Sequence, residues 1–299
     1  METLPLPHAI RLLTYLSPGL PLTLFGAVAD HLRRCPGLGG RGIALASEER
    51  ISGPERSSVD RSEDPFSRGE ADVGFLCAPT YLGLRERKRP PAKLLGVAPV
   101  FADERVRGEP VYFCDVIVRR GSSARSFWDL EGGVWAFNDP CSLSGHGGLA
   151  ARLGSPEVAG AFFGSTIRSG SHPASVRLVA DGEADAASID SNVLRLLLER
   201  TPALKDEMRV LESWGPYPIQ PVVVRTGLDQ ALKAALHESL LGTEADPRTR
   251  LELEAFGLKR FAAVGEEDYD AGRLPRPSPG GSVRAPSRFA PSGLIHPSA

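Results

Sequence analysis

A four-residue turn followed by an apolar strand occurs twice in this chain. The sequence Gly-Glu-Ala-Asp occupies 69–72, before the apolar run 73–78, and again 182–185, before the apolar run 186–189. Continuously apolar strands are typical of parallel sheets that helices cover on both faces. A match of four residues also arises by chance, but both copies share the same context, a turn from helix to strand. We therefore predict two similar half-units.

Strand and helix patterns alternate between the two copies and around them. Short apolar runs predict strands at 10–15, 42–47 and 134–137, whereas apolar residues at helical spacing predict helices at 22–32 and 228–241. Such alternation implies an α/β fold with parallel sheets and right-handed crossovers. Ligands of these folds bind at the carboxyl ends of the strands.

Two segments lack any apolar periodicity. The polar segment 48–68 is predicted to be a loop. The segment 271–299 consists mostly of Pro, Ser, Gly and Arg, and we expect it to be a disordered tail.

Composition excludes several classes of partner. The 299 residues carry a formal net charge of -2 with mixed signs, so we expect no nucleic-acid partner. No apolar run is long enough to cross a bilayer, and we expect a protein that is not inserted in a membrane. The N-terminus lacks a signal-peptide pattern, which predicts a cytoplasmic protein, or a periplasmic one if the natural N-terminus is longer. The four cysteines form no CxxC pair or His-spaced cluster, and we expect buried thiols with no metal or other cofactor.

The segment 136–148 carries the most specific chemistry. A predicted strand ends at Phe137, and a turn rich in Ser and Gly then begins a helix. Unpaired N–H groups at a helix start, together with the helix dipole, favour a phosphate-like oxyanion. Ser142 and Ser144 add hydroxyl donors. The alternative is that one serine only caps the helix and the glycines only turn the chain.

Two further polar groups lie in the same half of the chain. The segment 169–172 begins another predicted helix and makes His172 a possible ligand donor, although a lone histidine is more often structural. Asp190 follows the second repeat strand. A carboxylate repels an anion unless the ligand brings a proton or an ammonium group, so Asp190 is either a selector for such a ligand or a cap for the next helix.

Catalytic motifs do not emerge from the sequence. The Ser142 region does not fit a G-x-S-x-G nucleophile elbow, because Cys141 stands where the pattern does not allow it. We find no P-loop and no dinucleotide fingerprint. Cys141 and His146 are too close in sequence to form a good thiolate pair. These observations predict a protein that is not an enzyme.

Taken in order, these segments make the chain similar to the phosphate/phosphite/phosphonate-binding proteins of ABC importers, a branch of the type II periplasmic-binding-protein superfamily. The resemblance covers about residues 10–269. It rests on Gly-Glu-Ala-Asp-Val-Gly-Phe at 69–75 followed by Tyr81, on Phe-Asn-Asp-Pro-Cys-Ser-Leu-Ser-Gly at 137–145, on Gly-Ser-His at 170–172, and on Asp-Ala-Ala-Ser-Ile-Asp at 185–190.

The resemblance implies two lobes with a ligand cleft between them. Lobe 1 would comprise 1–112 and 213–270, and lobe 2 would comprise 113–212, with crossing strands near 111–118 and 211–222. It also implies ligand-binding residues, matched to the family one by one. These are Ser142, Ser144, Gly145, His172, Asp190 and Tyr81, with Tyr15 as a looser match.

The function that follows is the binding of a small phosphate- or phosphonate-like anion, with an ABC permease as the partner. Two alternatives remain open at this point. One is an enzyme of the thiamine-pyrimidine-synthase type, which has the same fold but uses a cysteine-rich segment that we do not find. The other is a ligand sensor with a cytoplasmic partner protein.

Overall fold

A computed structural model describes residues 9–38, 40–47, 64–154 and 161–270. The predicted tail at 271–299 and most of the predicted loop at 48–68 lie outside these ranges. Within them the chain forms two five-stranded sheets and one two-stranded sheet. The strands are β1 (Ile10–Thr14), β2 (Ile43–Ser47), β3 (Val73–Phe75), β4 (Ala92–Leu94), β5 (Val97–Phe101), β6 (Val111–Arg119), β7 (Val134–Phe137), β8 (Ser165–Arg168), β9 (Ala186–Asp190), β10 (Met208–Pro218), β11 (Val222–Arg225) and β12 (Leu258–Ala263).

Helices connect and cover these strands. Those that lie wholly within the described ranges are α1 (Leu22–Arg34), α2 (Ala78–Arg85), α3 (Gly148–Leu153), α4 (His172–Asp181), α5 (Ser191–Arg200), α6 (Leu204–Glu207), α7 (Gln230–Leu241) and α8 (Pro247–Glu254). A single π-helical turn, Leu143–Gly147, leads directly into α3. Helix α1 shows how the local sequence determines where a helix forms and ends. Its buried residues, among them Leu24, Val28 and Leu32, recur at helical spacing, and Pro36 follows its end.

The first sheet has the order β2-β1-β3-β11-β4 and the second the order β10-β6-β9-β7-β8. The two repeat strands, β3 and β9, each lie at the centre of their sheet, as two similar half-units require. The predicted parallel sheets are found only in part, because β1 pairs in parallel with β2 and β3, and β7 with β8 and β9, but other pairs are antiparallel. Strand β11 runs antiparallel to β3 and β4, and β6 runs antiparallel to β9 and β10. The antiparallel pairs arise because the chain leaves the first sheet and later returns to it, so β6, β10 and β11 do not come from simple strand–helix–strand units.

Long strands join the two halves. The chain passes from β5 through the turn Glu104–Val106 into β6, and it returns from β10 to β11. Strands β6 and β10 pair with each other along most of their length. The predicted lobe boundaries, at 112/113 and 212/213, fall inside these two strands, and they stay a prediction.

The buried apolar residues form one connected core to which both halves contribute. In the first, Phe25 of α1 packs against Phe75 of β3 with ring centroids 5.0 Å apart. In the second, Phe127 stacks on Phe162 at 5.0 Å, and Trp135 of β7 stacks on Phe163 at 4.9 Å. Burying an apolar side chain of this size stabilises the folded state by roughly 1.5–3 kcal/mol. Among the described residues, no helix has both the length and the apolar character that a membrane span requires.

Candidate functional site

Residues that follow strands of both sheets line one cavity of about 490 Å³. Tyr15 follows β1 and Cys77 follows β3 in the first half, while Asn138 follows β7 in the second. Asp190, the last residue of β9, also contributes. The cavity therefore lies at the carboxyl ends of the strands, where the sequence predicts ligand binding.

Helix starts surround the cavity. Cys77 precedes α2, Ser171 precedes α4 and Asp190 precedes α5, and all three line the wall. The first-turn N–H groups of a helix have no partner inside the helix, and they carry the positive end of its dipole. Ser171 caps α4 and Asp190 caps α5, whereas α2 has no side-chain cap. The start of α2 therefore presents N–H groups that suit an anion.

Ser144 and His172 meet at this wall. The Oγ atom of Ser144 lies 2.9 Å from Nε2 of His172, and both side chains are buried. Burial lowers the pKa of His172 to about 4, because it penalises the charged imidazolium. At neutral pH His172 is therefore an uncharged group that can donate one hydrogen bond and accept another.

Asp190 caps a helix, one of the two roles that the sequence left open, and it also lines the cavity. Its Oδ1 accepts hydrogen bonds from the backbone N–H groups of Asn192 (2.8 Å) and Val193 (3.4 Å), so it caps α5. Its carboxylate also lines the cavity, where Oδ2 accepts a bond from Gln220. Burial raises the pKa of Asp190 to about 6, although the hydrogen bonds from Gln220, Asn192 and Val193 oppose that shift.

Five of the seven predicted site residues line the cavity. These are Tyr15, Ser142, Ser144, His172 and Asp190. Ser142 also caps the π-helical turn, because its Oγ accepts a bond from the N–H of Gly145 at 3.1 Å. The structure thus brings these side chains together, while their part in binding stays a prediction.

Tyr81 does not reach the cavity, and its assignment is corrected. Its hydroxyl donates to the carboxylate of Glu266 at 2.7 Å, and its ring packs edge-on against Tyr269 with centroids 6.0 Å apart. Successive residues of a helix point about 100° apart, so Thr80 faces the cavity where Tyr81 does not.

Gly145 is the second correction. It is not part of the cavity wall, and the Oγ of Ser142 already accepts a hydrogen bond from its N–H. A Cβ atom at this position would overlap Oδ1 of Asn138. The tight packing of the turn against Asn138 is enough to require glycine at this position.

The sequence reasoning missed Thr80, Tyr112, Asn138 and Gln220, which all line the cavity. Tyr112 and Gln220 are buried polar side chains within apolar segments. An isolated polar residue in such a segment is the signal that could have identified them, because buried polar groups need a partner. The cysteine prediction also needs correction. Cys114 is buried, but Cys77 and Cys141 are only partly buried, and both line the cavity.

The residues that line the cavity include one ion pair between an arginine and an aspartate. Arg168 is the one Arg or Lys side chain among the described lining residues, and it forms a 2.8 Å ion pair with Asp139. Within the described ranges, no group of three or more His, Cys, Asp or Glu side chains is arranged to hold a metal ion. An anion in this cavity would therefore meet hydroxyl, imidazole and backbone N–H groups more than full positive charges.

Long strands join the two sheets, and the cavity lies at the carboxyl ends of the strands of both sheets. This arrangement defines a two-lobed solute-binding protein of the type II periplasmic-binding-protein fold. A family profile described as "ABC transporter, phosphonate, periplasmic substrate-binding protein" matches residues 57–269, more than half of the chain. The chain belongs to this family.

Solved structures share the fold at low sequence identity. The binding-protein component of an ABC phosphonate transporter from Pseudomonas aeruginosa matches with a TM-score of 0.71 and 16% identity over 88% of this chain and 83% of its own. A Prochlorococcus marinus protein in complex with methylphosphonate matches with a TM-score of 0.70 and 16% identity, over 87% and 94%. A Xanthomonas citri protein bound to chloride ion matches with a TM-score of 0.64 and 19% identity, over 87% and 93%.

Proposed function

We propose that this protein is the substrate-binding component of an ABC importer and that it holds a phosphonate, or a closely related phosphorus oxyanion, in the cavity. The observation that carries the proposal is that Ser142, Ser144, His172 and Asp190 line one cavity together with the starts of several helices. These groups match the needs of an oxyanion, which accepts several hydrogen bonds at once. The methylphosphonate complex of the Prochlorococcus marinus relative supports the choice of anion.

Asp190 narrows the choice of ligand. A buried carboxylate next to a bound anion is repulsive unless a proton lies between them. A phosphonate monoanion carries such a proton on one oxygen, and Asp190 can accept it. We therefore propose that the bound complex contains one proton shared between Asp190 and the ligand.

The partner and the compartment follow from the family. Proteins of this family are periplasmic and deliver their substrate to an ABC permease, and we propose both for this chain. Nothing favours the alternative of a cytoplasmic sensor partner. We also propose binding without chemistry, since the family is one of transport proteins and the enzyme alternative has no supporting observation.

Both halves of the molecule would contribute to the bound state. The loop at 16–20 and Thr80 come from the first half, whereas Ser142, His172 and Asp190 come from the second. A ligand that contacts both halves favours the conformation in which they are close, so we propose that binding closes the cleft.

Isothermal titration calorimetry tests the proposal. We expect methylphosphonate, phosphite or phosphate to bind the wild type, and we expect the double variant Ser142→Ala/Ser144→Ala to bind that anion at least roughly tenfold more weakly, because each serine supplies hydrogen bonds at the wall. Ser122→Ala, on a turn outside the cavity, is the matched control and should bind like the wild type. Folded wild-type protein that gives no heat with any of the three anions would contradict the proposal.

A further inference from the structure

A buried histidine outside the cavity, His31, joins three helices of the first half. It belongs to the last turn of α1 and is 5% exposed. Its Nε2 lies 2.8 Å from the backbone oxygen of Ser239 in α7, and its Nδ1 lies 2.8 Å from Oγ1 of Thr249 in α8. These partners come 208 and 218 residues later in the chain. The imidazole therefore connects the first helix of the chain to two helices near its end.

The bond at Nε2 has only one possible direction. A backbone carbonyl oxygen has no proton to give, so Nε2 must donate to Ser239. The Sγ atom of Cys35 lies 3.5 Å from the same nitrogen, but its thiol donates to the backbone oxygen of His31. Nε2 of His31 therefore carries a proton.

The bond at Nδ1 is determined by the other partners of Thr249. Oγ1 of Thr249 lies 2.5 Å from Oδ2 of Asp246 and 2.7 Å from Nη2 of Arg34. A guanidinium group only donates and an ionised carboxylate only accepts. The hydroxyl therefore accepts from Arg34 and gives its single proton to Asp246. Only its second lone pair remains for His31, so Nδ1 must donate as well.

The opposite direction, with Thr249 donating to Nδ1, fails at Asp246. It would leave two oxygen atoms 2.5 Å apart with no proton between them unless Asp246 were protonated. The hydrogen bonds from Thr249 and Arg34 hold the pKa of Asp246 well below its usual range, so this carboxylate is ionised at neutral pH. Both ring nitrogens of His31 therefore carry a proton, and the ring is a cation.

The surroundings of His31 suit a cation. The ring lies in the last turn of α1, and its acceptor Ser239 lies near the end of α7. The carbonyl groups at a helix end have no partner inside the helix and carry the negative end of its dipole. The imidazolium is thus placed at the carboxyl ends of two helices.

The charged groups around the ring also balance. Nδ1 of His31 lies 3.4 Å from Oδ2 of Asp246, and Nη2 of Arg34 lies 3.8 Å from Oε2 of Glu252 in α8. That Oε2 atom is buried and has no hydrogen-bond partner among the described residues. Two cations therefore face two carboxylates. From α7, Glu238 is largely exposed and contacts its neighbour in sequence, His237.

We propose that His31 is a buried imidazolium which acts as a pH-sensitive latch, fastening α1 to α7 and α8 while both of its nitrogens are protonated. Loss of one proton removes one of the two bonds. Helix α1 follows the loop at 16–20, whose residues line the cavity, so the latch holds this part of the wall from behind. The inference involves no ligand and is independent of the proposed function.

The protonation of His31 can be observed directly. Long-range ¹H–¹⁵N correlation of protein labelled with ¹⁵N-histidine distinguishes a protonated from an unprotonated ring nitrogen, and His31→Gln identifies the signals of His31 by their loss. We expect both nitrogens to be protonated at pH 7. An unprotonated nitrogen at pH 7 would overturn the proposal. Thr249→Val, which perturbs the same signals, replaces His31→Gln for the assignment if that variant does not fold.

The latch is tested by thermal unfolding between pH 6 and pH 9. An unfolded histidine titrates near pH 6.5, so a proton that the folded state keeps gives stability that is complete below that pH and is lost as pH rises. The excess in Tm of the wild type over His31→Gln should therefore shrink by roughly 3 °C or more across this range. A difference in Tm that stays constant with pH would overturn the latch.

Thr249→Val gives a second, independent measurement. It removes the hydroxyl that accepts from Nδ1, so the excess in Tm of the wild type over this variant should also shrink as pH rises. Thr243→Val is the matched control, because this buried threonine bonds to the backbone oxygen of Leu240 and not to His31. Its Tm should follow the pH dependence of the wild type. Equal pH dependence in Thr249→Val and Thr243→Val would count against the latch.

Discussion

Gln220 donates a 2.6 Å hydrogen bond from Nε2 to Oδ2 of Asp190. Both side chains are buried, and both line the cavity. Gln220 belongs to the short segment between β10 and β11, where the chain returns to the first sheet, whereas Asp190 ends the central strand of the second. The bond therefore links the connection between the halves to the carboxylate that an anion would approach.

Asp190 should make the stability of the ligand-free protein depend on pH. Its folded-state pKa of about 6 lies above the unfolded value of roughly 3.9. A raised pKa contributes stability that is complete below about pH 4 and is lost as pH rises through 6. Relative to Asp190→Asn, the free energy of unfolding of the wild type should fall by roughly 3 kcal/mol between pH 3 and pH 8. Urea unfolding at several pH values measures this difference, and a difference that stays constant with pH would contradict it.

Binding of the anion should take up a proton. Above pH 8 Asp190 is ionised in the ligand-free protein and methylphosphonate is mostly a dianion, so the shared proton must come from solvent. Calorimetry in buffers of different ionisation enthalpy should then report an uptake that approaches one proton for each ligand bound. Asp190→Asn is the control, and its uptake should be much smaller. Equal uptake by the two proteins would exclude Asp190 as the acceptor.

The serine-rich turn and Asp190 could be predicted from the sequence, because local patterns determine where a helix starts. Ser142 caps the turn that follows β7, and Asp190 ends β9 and caps α5, so both come from the carboxyl ends of neighbouring parallel strands. Their convergence on one cavity follows from the pairing of β7 with β9.

Contacts between distant segments could not be predicted in this way. Tyr81 lies away from the cavity, and its hydroxyl donates a hydrogen bond to Glu266, 185 residues later in the chain. The antiparallel strands β6, β10 and β11 result from the path of the chain between the sheets, which apolar periodicity does not encode. Gln220 becomes a site residue only because that path brings it back to Asp190.

Tyr81→Phe should affect stability and leave binding unchanged. The substitution removes the hydrogen bonds to Glu266 but no group of the cavity wall. Because Glu266 is partly exposed to solvent, we expect a loss of only about 1 kcal/mol in the free energy of unfolding. Affinity for methylphosphonate should stay within about twofold of the wild type. A tenfold loss of affinity with unchanged stability would restore Tyr81 as a site residue.

Gly145→Ala should disturb the cavity indirectly. The added Cβ would overlap Oδ1 of Asn138, a residue of the wall, so either the turn or Asn138 must move. Overpacking of this kind costs roughly 1–3 kcal/mol of stability, and we expect weaker anion binding as well. Gly83→Ala is the control, since a Cβ there meets no atom within 4 Å and alanine favours the helix. Thermal unfolding and calorimetry of both variants make the comparison.

Closure of the cleft can be tested at Gly19, where the two halves touch. A Cβ at this residue of the first half would lie 3.2 Å from the backbone oxygen of Leu16 in the same loop, and 3.4 Å from Cγ2 of Val193 and 3.9 Å from Cδ2 of His172 in the second half. A methyl group there is already close to the Leu16 oxygen, and a larger side chain must also press against Val193 and His172.

Gly19→Leu should therefore lower affinity for methylphosphonate by roughly tenfold or more, because the strained contact in the closed state offsets part of the binding free energy. It should also abolish the ligand-induced decrease in radius of gyration that small-angle X-ray scattering would record for the wild type. Gly26→Leu, on α1, is the matched control, since a Cβ at Gly26 meets no atom within 4 Å. If Gly19→Leu binds and contracts like the wild type, the halves do not close over the ligand at this point, and the first half contributes less to binding than we propose.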